Sequence, residues 1–249
     1  MSSISDIYDG QGNKYTFSQS SEESNNFNVS KWSNKKIIVD GDSVTYLGYW
    51  SNWLKEWLFL SDVYNHAGSG MSLTWQRSGN DASGVGSGLK GYERVQQNYE
   101  EDADCIILMG DFNDAAHSTN NLGNYDDSVS YESYETGSWC ARFNLMLDAI
   151  EEKYPTKPVL LIANPPRPGS DRVGLGNWGD NQIEKMKEIA QNRNLYYLDC
   201  YRENILRPNN DANKLLYTTN SDGVHLNQLG SKLMAQMIYE KMKQIGMDF

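Results

Sequence analysis

The feature that most constrains the fold is an alternation of short apolar runs with segments of helical periodicity, from Lys35 to the C-terminus. The apolar runs predict strands at 36–39, 62–65, 104–109, 158–163 and 195–199. Apolar residues at helical spacing predict helices at 49–60, 92–101, 138–153, 180–193 and 227–245. Strands and helices that alternate in this way are typical of a parallel sheet covered on both faces. The pattern therefore predicts an α/β fold, a flavodoxin-like three-layer α/β/α sandwich with a five-stranded parallel sheet.

Length and charge limit the kinds of protein that this chain can be. With 249 residues and 39% hydrophobic content, it can bury one full core but not two of ordinary size. The formal net charge of −11 argues against a nucleic-acid partner, because a polyphosphate would be repelled. No run approaches the ~18 apolar residues of a membrane span, and the first residues lack the features of a secretory signal peptide. We therefore expect a soluble protein.

The three cysteines are not placed in the sequence as metal ligands would be. Cys105 and Cys200 fall in apolar strand-like runs and Cys140 in a helical one, without the spacing of metal ligands. We expect them to be buried free thiols rather than disulfides. The sequence predicts no metal and no organic cofactor.

The first 34 residues differ in composition from the rest of the chain. They include a tract of serine, glutamate and asparagine that cannot bury enough surface to fold alone. The run Asp9-Gly10-Gln11-Gly12-Asn13, which precedes Tyr15, predicts a hairpin. We interpret residues 1–34 as an N-terminal arm that attaches to a larger assembly, and residues 35–249 as the catalytic domain. The arm's Gly-Asn-x-Tyr pattern resembles N-terminal segments of bacteriophage tail proteins. Because signal-peptide features are missing, we expect a cytoplasmic protein, or, if the resemblance holds, one released as part of a phage particle.

Two short segments together predict a hydrolase. The sequence Asp40-Gly41-Asp42-Ser43 directly follows the apolar run 37–39, so that a serine hydroxyl stands at the end of a predicted strand. Serine is a weak nucleophile at neutral pH and needs a positioned base. Asp222-Gly223-Val224-His225 can supply that base, because a carboxylate three residues before a histidine can hold Nδ1 while Nε2 faces the serine. The other histidines, His66 and His117, have no aspartate at this spacing.

The third segment is Gly110-Asp111-Phe112-Asn113-Asp114, at the end of another predicted strand. A side-chain amide in this position can donate a hydrogen bond to a tetrahedral intermediate, which makes Asn113 a candidate oxyanion donor. We expect Asp114 to hold the loop rather than to act on substrate. In a doubly wound sheet, ligands bind beyond the carboxyl ends of the strands, where these motifs are expected to lie.

With these segments in this order, the chain resembles the SGNH (GDSL) esterase and lipase family, whose four blocks carry Ser, Gly, Asn and His. The resemblance spans roughly residues 35–242. It implies that Ser43, Asp222 and His225 are the catalytic residues. It also implies an oxyanion hole formed by the Ser43 N–H, the Gly70 N–H and Asn113, with Gly68 as the alternative glycine. The family's usual third block is G-x-N-D, whereas here two residues separate Gly110 from Asn113.

The resulting hypothesis is a serine esterase for short acyl groups, especially acetyl groups on carbohydrate, because the chain has no long apolar lid and its loops are polar and rich in tyrosine. The aromatic residues after Ser43, Tyr46 to Trp57, are expected mainly to pack. A lysophospholipase or thioesterase of the same family is an open alternative. Two others are a metal-dependent phosphodiesterase, whose Gly-Asp-Phe-Asn strand resembles residues 110–113, and a catalytically silent binding module of a phage tail.

Overall fold

The computed structural model describes residues 7–8, 14–15, 31–74, 89–100, 102–110, 113–114, 121–166, 178–203, 206 and 211–247. Near the N-terminus, strands β1 (Ile7–Tyr8) and β2 (Lys14–Tyr15) pair antiparallel, with Ile7 opposite Tyr15. This pairing is the hairpin that the glycine-rich sequence between them predicts. Most of the proposed N-terminal arm lies outside the described residues, and its role remains a prediction.

The centre of the protein is a five-stranded, fully parallel sheet. Its strands are β3 (Lys36–Gly41), β4 (Asp62–Asn65), β5 (Cys105–Gly110), β6 (Val159–Ala163) and β7 (Tyr196–Asp199). Their order across the sheet is β4-β3-β5-β6-β7, which is the doubly wound arrangement. All five predicted strands are present, each within two residues of its expected bounds.

The seven α-helices follow the strands along the chain. They are α1 (Ser43–Tyr46), α2 (Tyr49–Trp57), α3 (Gly91–Asn98), α4 (Trp139–Lys153), α5 (Trp178–Asn192), α6 (Asp211–Tyr217) and α7 (Gln228–Met247) within the described residues. Two short 3₁₀ helices lie at Tyr134–Thr136 and Thr219–Ser221.

The two faces of the sheet bury separate cores, which makes the fold a three-layer sandwich. Along β5, Ile106 and Leu108 point toward α3, α4 and α5, whereas Ile107 and Met109 point toward α2 and α7. Both sets are fully buried, because helices cover a parallel sheet on both sides. This explains why β5 is apolar throughout rather than alternating. The predicted α/β/α sandwich is confirmed.

Three details of the helices differ from the sequence prediction. Helix α2 ends at Trp57 rather than at residue 60, because Phe59 adopts a left-handed φ of 55°. The short helix α1 was not expected, since four residues give no periodicity to detect. Helix α6 was not expected either, because none of its residues is buried and its sequence shows no apolar stripe.

Candidate active site

Ser43 is the first residue of α1, at the turn that follows β3. The carboxylate of Asp42 caps this helix, since Oδ1 accepts a 2.9 Å hydrogen bond from the Val44 N–H. Gly41 lies so close to β5 that an added Cβ would stand 2.0 Å from the Met109 carbonyl oxygen. Only glycine fits there, and the turn is therefore held against the centre of the sheet. We call residues 40–43 the nucleophile turn, after the role that the sequence predicts for Ser43.

Three predicted residues from the two ends of the chain meet at this turn. His225 Nε2 lies 2.9 Å from Ser43 Oγ, although the two residues are 182 positions apart. On the other side of the ring, His225 Nδ1 lies 2.7 Å from Asp222 Oδ2. These are hydrogen-bond distances, and they place a base next to the hydroxyl and a carboxylate behind the base.

The loop that carries His225 is fixed by its own hydrogen bonds. Asp222 Oδ1 accepts from the backbone N–H groups of Val224 at 2.7 Å and of His225 at 2.9 Å. The Thr219 N–H donates to the His225 carbonyl at 2.7 Å, and Gly223 N–H donates to Thr218 Oγ1 at 3.0 Å. The imidazole is thus oriented by backbone contacts at both ends of the loop.

The protonation of Asp222 determines which ring nitrogen of His225 carries the hydrogen. Partial burial opposes ionisation of Asp222, but hydrogen bonds from Val224 and from His225 outweigh it and lower the pKa of Asp222. An ionised carboxylate only accepts hydrogen bonds, so Nδ1 must donate to it. Nε2 is then the acceptor, and the Ser43 hydroxyl donates to it. This is the arrangement that a general base requires.

The glycine loop after β4, residues 66–74, lies next to the nucleophile turn, and we call it the Gly70 loop. Its Gly68 N–H donates to the Gly41 carbonyl at 3.3 Å and is therefore occupied. Gly70 has a left-handed φ of 72°, and its N–H donates to no other residue of the described chain. Of the two glycines left open by the sequence, Gly70 is thus the one with a free donor.

Asn113 is joined to the Gly70 loop. Its Nδ2 donates a 2.8 Å hydrogen bond to the Met71 carbonyl. The amide carries two hydrogens, so one remains for another acceptor. The neighbouring Asp114 is fully buried and accepts from the N–H groups of Leu73 at 3.2 Å and Thr74 at 3.0 Å. Asp114 holds a loop, as expected, and that loop is the one that carries Gly70.

Asn164 contacts the nucleophile turn and was missed in the sequence. It lies at the end of β6, and its Nδ2 donates a 2.9 Å hydrogen bond to Asp42 Oδ2. Both residues are almost completely buried. They are 122 positions apart, and no local pattern connects them.

A second missed group surrounds Asp40, the first residue of the turn. Asp40 is fully buried and accepts from Arg94 Nε at 3.0 Å and from the Tyr99 hydroxyl at 2.6 Å. The signal that could have revealed this group was the position of Asp40 itself. A carboxylate that directly continues the apolar run of a buried strand needs a donor nearby.

His66 has a carboxylate partner that the sequence pattern did not indicate. Its Nε2 lies 2.8 Å from Glu100 Oε2, and its ring stacks on Tyr99 with centroids 5.0 Å apart. This pair involves no described serine or cysteine. His117 lies outside the described residues.

The other predictions about side chains concern the thiols and aromatic rings. Cys105, Cys140 and Cys200 are buried and free, and burial raises the pKa of each thiol. Trp50 is fully buried in the α2 and α7 core, as expected, whereas Tyr46 and Tyr49 are 38% and 40% exposed beside the nucleophile turn.

The described residues lack two features of other protein classes. They contain no group of three or more His, Cys, Asp or Glu side chains arranged to hold a metal ion. Within the same ranges, no helix has the combined length and apolarity to cross a membrane.

Comparison with known proteins identifies similar sequences and folds. Residues 40–233 match the model of a GDSL-like lipase/acylhydrolase family. A comparison with curated proteins finds no match.

The solved structures include several with the same architecture. A protein from Lactobacillus plantarum is 21% identical with a TM-score of 0.69, over 85% of this chain and 98% of that one. A possible lipase from Chitinophaga pinensis is 16% identical with a TM-score of 0.63, over 85% and 98% of the two chains. A carbohydrate acetylesterase family member from Sinorhizobium meliloti is 13% identical with a TM-score of 0.54, over the same shares. At these identities the similarity concerns the fold.

Proposed function

Because the chain belongs to the GDSL-like lipase/acylhydrolase family, and is a hydrolase of the esterase and lipase type, we propose that Ser43 is its nucleophile and that its substrates are short acyl esters. We propose acetyl groups on carbohydrate as the natural substrate class. Asp222 and His225 are the other catalytic residues in this proposal. The Ser43 N–H, the Gly70 N–H and Asn113 are the oxyanion donors.

The observation that carries the proposal is the continuous contact from Asp222 through His225 to Ser43. The two distances, 2.7 Å and 2.9 Å, are short enough for proton transfer without rearrangement. The hydroxyl is nearly buried, whereas the His225 side chain is 38% exposed, so the base can be reached by water.

In the first half of the reaction, His225 Nε2 takes the Ser43 proton while Oγ forms a bond to the ester carbonyl carbon. The carbonyl π electrons move to oxygen, which becomes an oxyanion held by the three donors. Asp222 stabilises the imidazolium that forms. His225 then gives the proton to the alcohol oxygen as the C–O bond breaks, and acyl-Ser43 remains.

In the second half, a water molecule replaces the alcohol. His225 takes a proton from water, whose oxygen bonds to the acyl carbon and forms a second oxyanion. When the bond to Ser43 Oγ breaks, His225 returns the proton to Oγ. The products are the carboxylic acid and free enzyme, and no cofactor takes part in these steps.

The preference for carbohydrate is supported by the surface beside Ser43. Tyr46 and Tyr49 expose their rings next to the nucleophile turn, and such rings combine an apolar face with a polar hydroxyl. The fold is also shared with a structure described as a carbohydrate acetylesterase family member.

A second candidate is favoured by exposed leucines. Leu47 follows α1, and Leu215, Leu216 and Leu229 flank the His225 loop, with exposures from 37% to 73%. An apolar surface of this kind would suit a longer acyl chain, as in a lysophospholipase or thioesterase of the same family.

A panel of p-nitrophenyl esters of increasing acyl length separates the two candidates. We expect kcat/KM to be highest for the acetate and to fall as the chain lengthens, with Ser43→Ala as the blank. Acetylated glycans are then tested by measuring released acetate. A preference for octanoate or longer esters, with no acetate released from glycans, would contradict the carbohydrate assignment and support the lipid candidate.

A further inference from the structure

Arg94 lies between the nucleophile turn and the Gly70 loop. It is 1% exposed and belongs to α3, outside the four segments that carry the proposed catalytic residues and oxyanion donors. Its Nε donates to Asp40 Oδ2 at 3.0 Å. Its Nη2 donates to the carbonyl oxygens of Ser72 and Leu73, each at 3.3 Å. One guanidinium thus touches both segments at once.

The contact with Asp40 fixes the chain three residues before the proposed nucleophile, Ser43. Asp40 Oδ1 accepts a 2.7 Å hydrogen bond from the N–H of Gly41, while Oδ2 is held by Arg94 and Tyr99. The carboxylate therefore fixes the backbone where β3 ends and the turn toward Ser43 begins.

The contacts with the Gly70 loop fix it from the other side. Arg94 donates hydrogen bonds to the carbonyl groups of residues 72 and 73, and Asp114 accepts hydrogen bonds from the N–H groups of residues 73 and 74. One residue earlier, the Met71 carbonyl accepts from Asn113. Gly70 is thus followed by four residues whose backbone is held by three side chains, of which Arg94 and Asp114 are buried. Arg94 is the only cation of the three.

Burying the charge pair of Arg94 and Asp40 costs free energy, which a loop held by apolar contacts would not require. Removing two charges from water costs several kcal/mol per ion, and hydrophobic residues of similar volume often serve stability as well or better. Burial opposes the charge of Arg94, but the adjacent Asp40 raises the pKa of Arg94, which therefore stays protonated. A guanidinium provides several hydrogen-bond donors with fixed directions in one plane, and an apolar side chain provides none.

We propose that Arg94 is a positioning residue, which sets the distance between Ser43 and the Gly70 N–H and thereby forms the oxyanion hole. The proposal rests on the proposed function. The guanidinium spans Asp40 and the carbonyls of Ser72 and Leu73, so that the nucleophile and the oxyanion donor cannot move independently. Arg94 touches neither substrate nor the Asp222 and His225 pair.

The test is Arg94→Lys, which keeps the charge beside Asp40 but cannot reach Asp40 and both carbonyls at the same time. With p-nitrophenyl acetate, we expect kcat to fall by ~10- to 100-fold, because a displacement of about 1 Å at a reacting group has that effect. We expect KM to change little. The pH midpoint of kcat should not move, because Arg94 has no contact with the base.

Fluorophosphonate labelling of Ser43 gives a second readout, since the phosphonyl oxygen occupies the same hole. We expect the labelling rate of Arg94→Lys to fall in parallel with kcat. The control is Ile189→Ala, which removes a fully buried core contact on α5. It should lower the melting temperature and leave kcat and labelling unchanged.

Four outcomes are distinguishable. A folded Arg94→Lys protein with wild-type kcat, or with a higher KM alone, overturns the role of Arg94. A loss of kcat in Ile189→Ala of the same size, at the same loss of melting temperature, overturns it as well. If Arg94→Lys does not fold, Asp40→Asn is measured in the same way, and unchanged kcat there overturns the proposal. Wild-type protein that neither turns over esters nor takes the label overturns the proposed function itself.

Discussion

The Nδ2 amide of Asn164 donates a 2.9 Å hydrogen bond to the carboxylate of Asp42, the residue directly before Ser43. Because Asp42 also caps α1 through the Val44 N–H, Asn164 connects the end of β6 to the helix on which Ser43 lies. The proposed nucleophile is thus connected to a strand two places away in the sheet.

We expect Asn164→Ala to weaken catalysis by disturbing this turn. Loss of the hydrogen bond to a buried carboxylate should cost about 1.5–3 kcal/mol of unfolding free energy, and displacement of Ser43 should lower kcat by ~10-fold or more. Steady-state kinetics and urea denaturation measure both effects.

The matched control is Asn144→Ala on α4. Asn144 is also buried, and its amide donates to the carbonyls of Tyr125 and Asp127 at 2.8 Å. It should lose stability and keep kcat. Equal losses of kcat in the two variants would show that Asn164 acts only through overall stability.

Much of the fold could be predicted because the strands are continuously apolar. Runs such as 37–39 and 105–109 are buried on both faces, and such runs are visible in a sequence. The ends of helices were less predictable, because they depend on single backbone angles, as at Phe59.

In the site, the sequence identified the residues that belong to recognisable motifs. Ser43 was indicated by its place directly after a predicted strand, and Asp222 and His225 by their spacing of three residues. The structure brings the three together. Arg94 and Asn164 could not be found in this way, because their partners lie 54 and 122 positions away. Such contacts exist only after the strands are ordered in the sheet.

Asn113→Ala should lower kcat by ~10² or more with little change in KM. An oxyanion donor strengthens its bond mainly when the carbonyl becomes tetrahedral, so that its loss affects the transition state. Kinetics with p-nitrophenyl acetate test this. The 2.8 Å hydrogen bond from Asn113 to the Met71 carbonyl indicates a second role for Asn113, which is to hold the Gly70 loop. A variant that loses only stability would mean that Asn113 holds the Gly70 loop and that backbone amides alone form the hole.

We expect kcat to fall as the pH is lowered, since only a neutral histidine can accept the Ser43 proton. Hydrogen bonds from Val224 and His225 lower the pKa of Asp222, so Asp222 remains ionised at neutral and mildly acidic pH. Its contribution to stability is present above the ordinary carboxyl pKa and is lost only as the pH falls through the lowered value. Kinetics and urea denaturation over the same pH range measure this, and a loss of stability at the pH where kcat falls would contradict it.

Asp222→Asn tests whether Asp222 supports His225 as the base. It should reduce kcat by roughly 10²–10⁴-fold, because an amide no longer stabilises the imidazolium and can hold the wrong tautomer. Wild-type rates across the range from pH 5 to 8 in this variant would show that another residue supports the base.

Activity should survive excess EDTA, since the proposed nucleophile is a serine hydroxyl activated by a histidine. The measurement is p-nitrophenyl acetate hydrolysis before and after dialysis against the chelator, with a known metallohydrolase as the positive control. A loss that is reversed by added Mg²⁺ or Mn²⁺ would support the metal-dependent phosphodiesterase alternative.

The central claim is that Ser43 is the nucleophile, and covalent labelling tests it most directly. Wild-type protein is treated with a fluorophosphonate, and the modified peptide is identified by mass spectrometry, beside Ser43→Ala under the same conditions. We expect a single adduct on Ser43, loss of esterase activity in proportion to labelling, and neither label nor turnover in a folded Ser43→Ala protein. An adduct on another residue, or near-normal ester hydrolysis by Ser43→Ala, would contradict the account.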